Sequence, residues 1–221
     1  MIKLCIFDLD GTVLNTLDTI AYYGNSALEK NGIQPIAVNE YKLLVGKGAV
    51  NLVKNMLNFR GCLSEELFEK VFHDYDTAYN ANTSYKTSVY DGVQETLDGI
   101  KALGIQIAIL SNKPHFATNG VVNAIMGEGY FHRVYGQREG VPLKPDPTSV
   151  LSLIAELGAK PEECVYIGDT GTDMKTGKNA NLFTVGVLWG FRGEEELRKN
   201  GADMIISHPS QLLEYISGQK G

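Results

Sequence analysis

Apolar positions along the chain follow two rhythms. Short, nearly continuous runs of apolar and β-branched residues occur at about 3–8, 105–111, 133–136, 164–168, 183–187 and 203–206. Each has the length of a strand, and a run such as Ile105-Gln106-Ile107-Ala108-Ile109-Leu110 barely alternates with polar residues. Strands read this way when both faces of a sheet are covered, which is the habit of parallel sheets. Helix-period stretches separate most of these runs; one covers 91–103, with Gly104 placed to cap its end. The alternation predicts an α/β fold, a doubly wound, Rossmann-like parallel sheet as the core.

One stretch departs from the alternation. Between 15 and 82 there are three helical patterns and no strand pattern. Thr16 is positioned to cap the first helix, which ends near Asn31-Gly32; the second runs over 43–59; Ser64-Glu65-Glu66-Leu67 opens the third. A helical block between the first strand and the rest predicts an inserted all-helical cap domain at 15–82, with 1–14 and 83–221 forming the core.

Charge narrows the partners. A formal net charge of −6 argues against nucleic acid, whose binding calls for a basic face. The apolar run at the start is too short for a secretory signal, and no run reaches the length of a membrane span. Of three widely spaced cysteines, Cys5 and Cys164 sit in strand-like runs and read as buried small hydrophobes. These features predict a cytoplasmic protein with reduced thiols. The four histidines show no metal-ligand spacing.

Chemistry concentrates where strands end. Asp8-Leu9-Asp10-Gly11-Thr12 follows the first strand; strand alternation sends Asp8 and Asp10 to one side, and Gly11 permits a sharp turn. Ser111-Asn112-Lys113 closes the second strand, Lys144-Pro145-Asp146-Pro147 lies in the loop after the third, and Gly168-Asp169-Thr170-Gly171-Thr172-Asp173 closes the fourth and enters a helix. Singly, each has a plain reading as a cap, a turn or a solvated charge. Together they bring a hydroxyl, a lysine and four acids to one rim of the sheet, where α/β folds bind ligands. Such a set suits Mg²⁺ and a phosphate: Asp8 and Asp169 supply carboxylates, a main-chain carbonyl near Asp10 adds an oxygen, Ser111 grips phosphoryl oxygens, and Lys144 neutralises their charge.

The motifs DxDGT at Asp8, Ser-Asn at Ser111, Lys before Pro at Lys144 and GDxxxD at Asp169, in this order, resemble the four motifs of the haloacid dehalogenase superfamily. The likeness spans nearly the whole chain, and the helical insert is similar to that superfamily's small cap. Asp10 directs the resemblance to phosphatases and phosphomutases, since dehalogenases lack this second acid. Val45-Gly46-Lys47-Gly48, Ser111-Asn112-Lys113-Pro114 and the segment from Gly201-Ala202-Asp203 to Pro209-Ser210 are similar to the phosphoglycolate phosphatase group. Asn15 departs from the acid many members carry there.

The resemblance implies Mg²⁺-dependent hydrolysis of a small phosphorylated metabolite. Asp8 would be nucleophile and metal ligand. Asp10 would serve as general acid and then base, its segment also bordering the metal with Asp169. Lys144 would be catalytic, Thr12, Ser111 and Asn112 would hold phosphate, and Asp173 would support the metal or Lys144. Lys47, between two glycines, is a candidate for the non-phosphate end of the substrate. Tyr75 and Tyr79 read as cap packing, and Trp189 with Arg192 as either rim or structural loop. The chain is expected to be a monomer or homodimer. A phosphomutase, a phospho-accepting signalling domain and a non-catalytic binding protein remain as alternatives.

Overall fold

A computed structural model describes residues 1–219. Strand β1 (Leu4–Phe7) is buried along its whole length. Its two-residue period sends Cys5 and Phe7 into one hydrophobic cluster and Leu4 and Ile6 into another, on opposite faces of the sheet. The remaining strands of this sheet are β4 (Gln106–Pro114), β5 (Arg133–Gln137), β6 (Cys164–Gly168), β7 (Phe183–Val187) and β8 (Met204–Ile206). They pair in parallel in the order β5-β4-β1-β6-β7-β8. Counted in chain order, that is the doubly wound arrangement, and its direction reverses between β1 and β6. A crevice must therefore open beyond the carboxyl ends of those two strands, where Asp8 and Asp169 stand.

Helices cover both faces. On one, α5 (Val93–Ala102), α6 (His115–Met126) and α10 (Ser210–Gly218) bury Leu97, Val121 and Ile216 against Phe7 and Ile107. On the other, α7 (Thr148–Glu156) packs Val150, Leu153 and Ile154 against Leu4, Ile6 and Tyr166, and α8 (Gly171–Asn179) lies against β6 and β7. The α/β fold class predicted by the alternation is observed, with every predicted strand present to within a few residues.

Helices α1 (Leu17–Lys30), α2 (Tyr41–Leu44), α3 (Gly48–Phe59) and α4 (Glu65–Ala81) pack together around a cluster of Leu28, Tyr41, Val53, Met56, Leu57 and Val71, which Ala117 and Phe191 of the α/β part also join. Ser64 caps α4 as its sequence predicts, accepting from Leu67 N at 3.2 Å. Two expectations fail here. Thr16 occupies the cap position of α1, but with ψ near 3° its hydroxyl makes no cap bond and is buried without a partner; the cap geometry needs extended backbone. The helix expected over 43–59 is broken, because Gly46 adopts φ +112° and the chain loops before α3 starts. A two-stranded ribbon absent from the sequence reading joins the units: β2 (Leu14–Asn15) pairs antiparallel with β3 (Ser88–Val89), at the two places where the chain crosses between them. Two residues are too few to leave a periodic signal. Among the described residues no helix is long and apolar enough to cross a membrane.

Candidate functional site

The floor of the crevice is built from the end of β1. Asp8 continues the ladder, its N–H donating to Ile167 O at 2.8 Å. The chain then turns through Gly11 at φ +92°, and a Cβ there would stand 2.3 Å from Asp169 Oδ2, so only glycine fits. Lys144 reaches in from the loop before α7 and donates to Asp8 Oδ1 at 2.7 Å, to Asp173 Oδ1 at 2.7 Å and to Leu110 O at 3.1 Å. At 6% exposure it is no solvated loop charge. The other oxygen of Asp173 accepts from Thr170 N and Thr170 Oγ1, in the capping box that opens α8. Asp169 accepts from Phe191 N at 2.7 Å and from Thr12 Oγ1 at 3.3 Å.

Asp8, Asp169 and Asp173 are buried, each with a carboxylate oxygen within 4.8 Å of the others. Burial, then the Asp173 charge, pushes Asp8 up to about 7 against the pull of Lys144. Burial likewise holds Asp169 well above the usual carboxylate range, with Asp173 and Asp8 adding to it. Burial alone would lower the Lys144 pKa; Asp173 and Asp8 outweigh it and raise the value well above that of an ordinary lysine. Three buried carboxylates facing one ammonium leave a deficit of positive charge. The donor set is oxygen only, which fits a hard divalent cation such as Mg²⁺ rather than zinc.

The acid pair of the first motif divides its partners. Asp10 lies outside the three-acid cluster, and both its oxygens accept from Lys113 Nζ at 2.9 Å. Asp8, Asp10, Ser111, Asn112, Lys113 and Lys144 all line one cavity of about 60 Å³ between the sheet and the helical block. Ser111 Oγ accepts from Lys113 N at 3.1 Å. Asn112 spends its side chain on backbone: it donates to Gly46 O and Lys144 O, each at 3.2 Å, and accepts from Lys144 N at 2.8 Å. Thr12 is 1% exposed and lies behind the cavity wall, touching Asp169 and not the open space. Lys47 is exposed, while its neighbours Val45, Gly46, Gly48 and Ala49 line the cavity.

Sequence reasoning missed three features. Lys113 was legible in Ser111-Asn112-Lys113-Pro114, but its partner Asp10 lies 103 residues away. Tyr75 and Tyr79, read as packing, both line the cavity together with Asp76 and Asn80; their spacing places all four on one face of α4. Arg192 donates to Lys42 O and Val45 O of the helical unit and pairs with Glu196 in the first turn of α9 (Glu194–Lys199), whereas Trp189 donates to Thr12 O at 2.9 Å and is structural.

The family model described as haloacid dehalogenase-like hydrolase matches residues 5–187. A phosphoglycolate phosphatase of Aquifex aeolicus is 28% identical over 214 residues, covering 97% of this chain and 96% of that protein. One from Haemophilus influenzae is 29% identical over 220 residues, covering 97% and 98%. The crystal structure of a predicted phosphoglycolate phosphatase from Haemophilus somnus superposes with a TM-score of 0.91 at 25% identity, covering 97% and 98% of the two chains.

Proposed function

This chain belongs to the haloacid dehalogenase-like hydrolases, and we propose that it is a phosphatase that cleaves a small phosphate monoester, of the phosphoglycolate class, through a phosphorylated Asp8. The observation that carries the reading is the pair of acids after β1: Asp8 held by buried Lys144 on the cavity floor, with a second acid, Asp10, on the same rim.

A carboxylate oxygen of Asp8 attacks phosphorus, and the bond from phosphorus to the ester oxygen breaks. Asp10 gives its proton to the departing alkoxide, then as carboxylate takes one from the water that attacks the phosphorus of the aspartyl phosphate, releasing inorganic phosphate and restoring Asp8. Lys144 opposes the charge spreading over the phosphoryl oxygens, and the Ser111 hydroxyl supplies a further contact to them. Asp8 and Asp169, with Asp173 behind them and the Asp10 main chain beside them, would hold Mg²⁺, which when bound supplies charge neutralisation to the phosphoryl group. Thr12 serves by orienting Asp169. Asn112 serves by fixing Lys144 and the helical unit's loop. Helices α1 to α4 act as the cap that shuts water out.

The test is inorganic phosphate release from phosphoglycolate, a sugar phosphate and an aryl phosphate with Mg²⁺, by the parent and by Asp8→Asn. The parent is expected to release phosphate, and Asp8→Asn, folded but lacking a nucleophile, to fall to background. No release by the parent from any of the three, or parent-like turnover by Asp8→Asn, overturns the reading.

A further inference from the structure

Four carboxylates line the cavity, Asp8, Asp10, Asp76 and Asp173, against two ammonium groups, Lys113 and Lys144. Lys144 is committed to Asp8 and Asp173. A substrate bearing an anion besides its phosphate must therefore find its counter-charge at Lys113. Lys47, the other nearby cation of the cap loop, is exposed and off the cavity.

Beside Lys113 stands a hydroxyl with no acceptor. Tyr79 is 4% exposed and lines the cavity; its buried oxygen faces the Lys113 ammonium as an acceptor, and its own proton has no acceptor. The Lys113 ammonium lies 4.9 Å from the centroid of its ring. A buried hydroxyl proton without an acceptor is costly, and a ligand oxygen would recover that cost. The two groups thus set O–H and N–H donors side by side in the cavity wall.

We propose that Lys113 and Tyr79 form the recognition site for a carboxylate on the leaving group, and that binding it draws Lys113 away from Asp10. The reach of the site sets the substrate class. Lys113 touches both oxygens of Asp10 at 2.9 Å, and Asp10 must touch the ester oxygen to protonate it. Lys113 can then meet only groups a few bonds from that oxygen. A carboxylate on the carbon that bears the phosphate satisfies this; one farther along a chain does not. The same exchange links recognition to chemistry: while Lys113 holds both Asp10 oxygens, Asp10 is turned to the lysine, and an anion that replaces it there frees Asp10 for the ester oxygen. An ester without the carboxylate leaves the ion pair closed.

This rests on the phosphatase reading, and the experiment separates the two. kcat/KM is measured on phosphoglycolate, on ethyl phosphate, which lacks the carboxylate, and on 3-phosphooxypropanoate, whose carboxylate is one carbon farther out. The variants are Tyr79→Phe, Lys113→Gln and Lys47→Ala. The parent and Lys47→Ala are expected to prefer phosphoglycolate over both other esters by roughly tenfold or more, as a site with paired donors should. Tyr79→Phe and Lys113→Gln lose most of that preference. Tyr79→Phe changes one oxygen, so it keeps the test decisive if Lys113→Gln does not fold. A parent without the preference, or variants whose three rates fall by one common factor, overturns the inference and leaves the phosphatase reading intact. A parent that turns over none of the esters overturns the phosphatase reading and the inference with it.

Discussion

A buried carboxylate is costly unless a cation shares its site, and Asp8 and Asp169 state that cost in their raised pKa values. Their folded values lie above the ordinary value of 3.8. The protonated form therefore stabilises the metal-free protein at low pH, and that stability is lost as pH rises through about 7 for Asp8. A bound cation displaces those protons, so its stabilising effect must grow with pH. We expect Mg²⁺ to raise the melting temperature more at pH 8 than at pH 6. Asp169→Asn should melt no lower than the parent at pH 8 without metal, and should gain little from Mg²⁺. A Mg²⁺ shift independent of pH, or preserved in Asp169→Asn, would remove the acid cluster as the metal site. The same scale shows why chemistry was legible before geometry. Asp8, Asp10 and Asp169 announce themselves by following strands, Ser111 by its place near the end of β4 and Lys144 by its place in the loop after β5, and strand ends converge in this fold. Thr12 and Asn112 share those motifs, yet their side chains serve Asp169 and the backbone, and a motif does not say which way a side chain is spent.

Elements carry the connection between cap and core. Arg192 sits one residue after Phe191, whose N–H holds Asp169, and donates to Lys42 O and Val45 O at the end of α2. Its partner Glu196 accepts from Gly171 N at the start of α8. One short loop thus ties an acid of the cluster, the start of α8 and the cap loop together. Removing it should loosen the cap without touching the reacting atoms. We expect Arg192→Ala to lower kcat/KM by roughly five- to thirty-fold, the equivalent of about 1–2 kcal/mol for partly exposed charge-assisted bonds. The loss should fall mainly on KM, and Arg192→Lys should recover part of it. A loss confined to kcat would mean that Arg192 acts on Asp169 and not on the cap. The tie to the helical unit was not legible in the sequence, because its acceptors are carbonyls, which every residue has, some 150 residues distant. The helices and strands themselves were legible wherever they ran long enough to repeat; the ribbon of β2 and β3 and the break at Gly46 were not.

At the scale of the whole molecule, two cores meet over one cavity. The helical unit is built on a buried cluster that Ala117 and Phe191 of the α/β part also join, and the chain crosses to it at Leu14–Asn15 and returns at Ser88–Val89, the paired strands of the ribbon. Away from the ribbon, polar ties between the units include Asn112 to Gly46, Arg192 to Lys42 and Val45, and Lys113 to Tyr79. We predict that this helical unit moves as a body on the ribbon. Phosphate at the floor would then favour closure by filling the cavity that α4 and the cap loop cover. Amide hydrogen exchange tests this with Mg²⁺ and orthovanadate, which occupies phosphoryl sites without turnover. Protection is expected to rise in the loop at 42–48 and along Tyr75–Asn80 of α4, while α5 and α10, on the far side of the sheet core, exchange as before. Protection that rises uniformly, or only at 8–12 and 169–173, would mean that ligand binding is local and that the helical unit stays where it is.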